Sequence, residues 1–144
     1  MTTRNAVRRF TVIDVAIRAA IVGLVLGTAY IHATLGGMLF TLNAAGYLVA
    51  AAAIVAPIAL ASRFRWFIRI GLAGYALTAI VAWAIMGPYY STAFVAKGIE
   101  IALIALLIVD FVRFDGNPFA KVRAELAAAM GFVQARRATA PSAA

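Results

Sequence analysis

Apolar positions run through this chain in blocks much longer than a soluble helix or strand uses. The longest, Ala19 to Ala61, spans 43 residues without Asp, Glu, Lys or Arg, and His32 is its only group that titrates near neutral pH. One membrane crossing takes roughly 20 apolar residues to cover about 30 Å of hydrocarbon, so this block holds two crossings and a turn. Gly36 and Gly37, with Thr34 and Leu35 beside them, place the turn. A second apolar region follows, broken by Gly87-Pro88-Tyr89-Tyr90, where Gly and Pro stop a helix and the tyrosines suit the headgroup level. The pattern predicts four spans, at about 12–32, 38–61, 70–86 and 92–112. Between the second and third, Arg63, Arg65, Trp66 and Arg69 read as a short basic and aromatic loop at a lipid or partner interface.

Beyond Asp115 the periodicity changes. Gly116-Asn117-Pro118 offers a break, an N-cap and a first helical residue. Phe119, Val122, Leu126, Met130 and Val133 then recur at three- or four-residue intervals, with Lys121, Arg123, Glu125, Arg136 and Arg137 largely off that stripe. Residues 116–137 are therefore expected to form an amphipathic interfacial helix rather than a span, and 138–144 a disordered tail. The fold class this implies is all-α: an integral membrane four-helix bundle over residues 1–115, with the interfacial helix after it.

Composition narrows the function classes. Hydrophobic residues make up 65% of the 144 and charged residues 12%; soluble domains are nearer half apolar with about a quarter charged. Spanning the bilayer would use most of this length, leaving little for a soluble catalytic domain. The absence of cysteine excludes disulfides, thiolate nucleophiles and Cys-ligated metal centres. No Gly-x-Ser-x-Gly, phosphate loop or Gly-x-Gly-x-x-Gly is present, and the expectation is a protein that is not an enzyme.

The net charge of +8 reports orientation rather than nucleic acid. Twelve of the 13 Lys and Arg fall in the N-terminal segment, the inner end of the first helix, the Arg63 to Arg69 stretch or the C-terminal region; Lys97 alone falls on the other side. The positive-inside rule then puts both termini in the cytoplasm of a multi-pass inner-membrane protein of bacterial type. Arg4, Arg8 and Arg9 ahead of the first apolar run are expected to belong to a retained signal anchor, since that run exceeds a signal-peptide core.

The residues that need explaining are polar ones inside apolar runs. His32, Asn43, Tyr47, Lys97 and Glu100 all fall at one level of the four spans, as do Tyr30 and Trp83. A charge at the bilayer centre costs roughly 2.5–3.5 kcal/mol on insertion scales, so such residues are expected to face the bundle interior or water. Glu100 is expected to point toward His32 and Asn43; alternatively, Lys97 and Glu100, one turn apart, neutralise each other for structural reasons. One histidine falls short of a zinc or copper site and gives haem one axial ligand at most. No metal or cofactor is expected, although haem or quinone would suit a redox-complex subunit. Asp14 and Arg18 have the spacing of a helical ion pair. Gly23, Gly27, Gly46 and Gly74 mark small-residue faces where helices can approach closely.

The run Tyr30-Ile-His-Ala-Thr-Leu-Gly-Gly-Met-Leu-Phe-Thr-Leu-Asn43, with Lys97-Gly-Ile-Glu-Ile-Ala-Leu further on, resembles uncharacterised small four-helix bacterial inner-membrane proteins, a group that carries no known activity. In size the chain is also similar to the small multidrug-resistance transporters, which use a membrane-embedded Glu in helix one. Here the first helix has Asp14 beside Arg18, and the deep acid, Glu100, is in helix four. The leading expectation is an accessory or scaffold subunit of a larger membrane complex, or a homo-oligomer, whose partners are lipids and membrane subunits rather than nucleic acid. A small proton- or cation-coupled transporter or channel built on the polar cluster is the alternative, and a quinone- or haem-binding subunit of a redox complex is a third.

Overall fold

The structure is a computed structural model that describes residues 11–56 and 59–138. The regular structure among the described residues is all helical: α1 (Val12–Thr34), α2 (Met38–Val55), α3 (Ala59–Met86), α4 (Ser91–Asp115) and α5 (Pro118–Ala138). The first four are long and apolar enough to cross a membrane. The chain divides into two compact units, one up to Asp110 and one from Phe111 onward.

Each boundary in the first unit has a local cause. Thr11 begins α1 with a reciprocal capping box, its hydroxyl accepting from the Asp14 amide while the Asp14 carboxylate accepts from the Thr11 amide. Asp14, expected to pair with Arg18, thus also builds the helix start. The α1–α2 turn needs two left-handed residues in succession, φ 70° and 83°, supplied by Gly36 and Gly37. Ala56 leaves α2 with an extended backbone, ψ 123°, as the residue before a proline does, and α2 stops there, six residues short of its expected end. The bend expected at Pro57 lies outside the described residues.

The third helix departs most from expectation. It starts at Ala59 instead of near Ile70, so Arg63, Arg65, Trp66 and Arg69 occupy helix, with no loop there. Arginine and aromatic residues are adequate helix formers, and no Gly or Pro interrupts residues 59–70.

The core of this unit follows helical spacing. Ile21, Val25 and Ala29 of α1, Tyr47, Ala51 and Ile54 of α2, Leu72 and Ala76 of α3, and Leu103 and Leu107 of α4 form one buried cluster. On α1 the same face carries Asp14, Thr28 and His32; on α4 it carries Lys97, Glu100 and Asp110. Hydrogen bonds from Thr28, Tyr47 and Lys97 on the buried faces tie the helices to one another. Of the expected packing glycines, Gly46 lies tightly against Tyr75 and Gly27 is near Ile99, while Gly23 and Gly74 have open space where a Cβ would go.

In the second unit, Gly116 adopts φ 77° and the Asn117 side chain caps α5, accepting from the amides of Phe119 and Ala120. Phe119, Leu126, Met130 and Val133 are exposed, and so is Phe132, which lies off the expected stripe. Lys121 bonds Glu125 one turn on, which holds its ammonium above the ordinary lysine range.

Candidate functional site

The C-terminal end of α1, the N-terminal end of α2, the C-terminal end of α3 and the N-terminal end of α4 meet at one end of the first unit. Helical spacing sets the site there. Thr28 and His32 share a face of α1 four residues apart; Lys97 and Glu100 share a face of α4; Tyr47 is on the buried face of α2.

Glu100 is the centre and is completely buried. Its Oε1 accepts from the Tyr47 hydroxyl at 3.1 Å and from the Thr28 hydroxyl at 3.3 Å, and its Oε2 from Lys97 Nζ at 2.7 Å. Three helices thus converge on one carboxylate. Lys97 also donates to the carbonyl of Ala79 on α3 at 3.2 Å, so the fourth helix is attached through the same ammonium. A carbonyl can only accept, so the 2.8 Å contact between His32 Nδ1 and the Thr28 carbonyl assigns the proton to Nδ1. His32 Nε2 is directed at Glu100 Oε1, 3.8 Å away. Tyr47 packs its ring against His32 and, edge-on, against Tyr75.

Beside this network lies a cavity of about 470 Å³. Its wall is mostly apolar and aromatic, including Phe40, Tyr75, Trp83 and Tyr90, with His32, Asn43 and Lys97 among its polar residues. The polar groups of the wall differ in what they have left to offer. Tyr75 donates its hydroxyl to the Asn43 carbonyl, Thr78 to the Gly74 carbonyl, and Trp83 its indole N–H to the Pro88 carbonyl. Lys97 has three N–H bonds and uses two. No hydrogen bond engages the Asn43 carboxamide among the described residues. The 87–90 connection closing the cavity is braced by edge-to-face contacts of Trp83 with Tyr89 and Phe94.

Of the residues singled out from sequence, His32, Tyr47, Lys97 and Glu100 come together in the network, and Asn43 joins His32 and Lys97 on the cavity wall. Glu100 does face His32; Asn43 does not bond it. Tyr30 is 71% exposed and takes no part. Thr28 was not singled out, though its spacing of four from His32 places it on the same face.

A second buried cluster occupies the other end of the unit. Arg69 Nε donates to Asp110 Oδ2 at 2.6 Å, both side chains being buried, and Arg18 Nε lies 3.9 Å from Asp110 Oδ1. Arg69, expected at a lipid or partner interface, is buried. Sequence gave no sign of this cluster, since its three members are 41 or more residues apart or on different helices.

No grouping of three His, Asp or Glu side chains suited to a metal ion occurs among the described residues. With Nδ1 held by the Thr28 carbonyl, Nε2 carries the imidazole's free lone pair, 3.8 Å from Glu100 Oε1. No protein-family model, curated protein or solved structure matches the chain.

Proposed function

We propose that this chain is a non-enzymatic, multi-pass protein of the bacterial cytoplasmic membrane, with both termini cytoplasmic, that holds a lipophilic small molecule in the cavity at the outer end of its helices. The single observation that carries this reading is the cavity itself. At about 470 Å³ it falls within the range of ligand pockets, and its apolar, aromatic wall is interrupted by a few polar groups with capacity to spare. The four apolar helices and the distribution of basic residues support the membrane placement.

The network around Glu100 favours this over a cation path. A transported cation needs a carboxylate it can bind, and Glu100 is already covered by Lys97, Tyr47 and Thr28. The network instead works as a rigid polar floor beside the cavity. An accessory role in a larger complex is compatible with the same reading, with the bound molecule shared with, or presented to, a membrane partner.

The test is organic extraction of the chain purified in lipid nanodiscs, with mass spectrometry of the extract. The expected result is a stoichiometric lipophile in the wild type that is lost in Ala82→Phe, which fills the cavity from its wall. An extract containing only nanodisc lipid, the same in both proteins, contradicts the reading. Topology is tested separately on this cysteine-free chain. An introduced cysteine at Ser91 should react with an impermeant reagent in intact cells, and one at Ser142 should not; the reverse pattern would sink the assignment.

A further inference from the structure

The geometry points to a quinone-type headgroup, a flat, uncharged, conjugated ring carrying carbonyl oxygens, as the class of molecule the cavity takes; this assignment rests on the lipophile-binding reading above. Three observations select it. The first is the wall: Phe40, Tyr75, Trp83 and Tyr90 line one cavity, and aromatic faces and edges pack best against another planar π-system. A saturated acyl chain would gain nothing particular from four aromatic residues.

The second is the donor inventory. Besides the Tyr90 hydroxyl of the 87–90 connection and the lone pair of His32 Nε2, two wall residues on helices retain donors: the Lys97 ammonium, with one of its three N–H bonds unspent, and the Asn43 carboxamide. They stand on different helices, α4 and α2. Both can donate, which suits a ligand with two acceptor oxygens, whereas the hydroxyls of Tyr75 and Thr78 already donate within the protein.

The third is charge. Lys97 is the one cation among the lining residues, and it sits 2.7 Å from Glu100, so the pair sums to zero. An anionic amphiphile such as a fatty acid would meet an already neutralised ammonium with a carboxylate directly behind it. A cationic ligand would meet Lys97 first. A neutral carbonyl compound takes the remaining N–H without disturbing the pair.

The experiment is a fluorescence titration of the full chain in nanodiscs. Trp66→Phe leaves Trp83, on the cavity wall, as the single tryptophan. The probe is a benzoquinone with a decyl tail, and the competitor is decylbenzene, which has the ring and tail but no carbonyl. Saturable quenching of Trp83 is expected, with affinity reduced roughly tenfold by Asn43→Leu and by the paired change Lys97→Met with Glu100→Gln, about the loss of one good hydrogen bond. The paired change removes both charges together and so leaves no unpaired ion in the core. Decylbenzene should compete at least about tenfold more weakly, as a ligand lacking those bonds should. Equal competition by decylbenzene, with both polar variants binding like the wild type, overturns the quinone assignment and leaves lipophile binding standing. Quenching that Ala82→Phe does not change overturns both, and an absence of saturable quenching overturns the quinone class while the extraction experiment still decides the broader reading.

Discussion

The two ends of the four-helix unit solve the same problem differently. Each buries ionic side chains that must be paired, since breaking a buried pair costs several kcal/mol. At one end Asp110 is held by Arg69 and approached by Arg18, and none of the three lines the cavity. At the other, Glu100 receives donors from α1, α2 and α4, and its lysine and the adjacent histidine form part of a cavity wall. Buried charge alone therefore does not mark a site. What the Glu100 end adds to its pair is a cavity beside it and donors on the cavity wall.

The largest effect is expected at Glu100. Glu100→Leu leaves Lys97 buried with only the Ala79 carbonyl, and should lower unfolding free energy by about 3 kcal/mol or more, read from the midpoint of denaturation in detergent. Combining Lys97→Met with Glu100→Gln should cost clearly less than Glu100→Leu, because no ion is left unpaired; a cost at least as large would mean that the charges themselves are indispensable.

Glycine substitutions sharpen the packing side of the comparison. A Cβ on Gly46 would lie 2.5 Å from the Tyr75 hydroxyl, so Gly46→Ala must displace a cavity-wall ring and should cost about 1–3 kcal/mol. Gly23→Ala, with open space around it, should be neutral or stabilising by up to about 1 kcal/mol in the same assay. A modest effect belongs to the far end of α1: Thr11→Ala removes the capping hydroxyl and should cost about 1 kcal/mol, without affecting retention of a cavity ligand.

Much of the helical outline was readable because long charge-free runs and the Gly36-Gly37 pair are local signals. His32, Tyr47, Lys97 and Glu100 were visible for the same reason, as polar residues standing in apolar sequence. Arg69 was misplaced because arginines alternating with aromatics look like a membrane-surface loop; its partner, Asp110, lies 41 residues away on another helix. Thr28 escaped notice because threonine is unremarkable in an apolar helix. The cavity had no sequence signature at all, since it is formed by residues of four helices and two connections that become neighbours only in the fold.

The central claim, that the Glu100 end holds a molecule and the Asp110 end holds only itself together, is tested most directly by native mass spectrometry of the chain released from nanodiscs. Wild type, Ala82→Phe and the paired change Arg69→Gln with Asp110→Asn would be compared. One small-molecule adduct is expected on the wild type and on the Asp110-end variant, and none on Ala82→Phe. Adducts of equal occupancy on all three, or none on any, would contradict it.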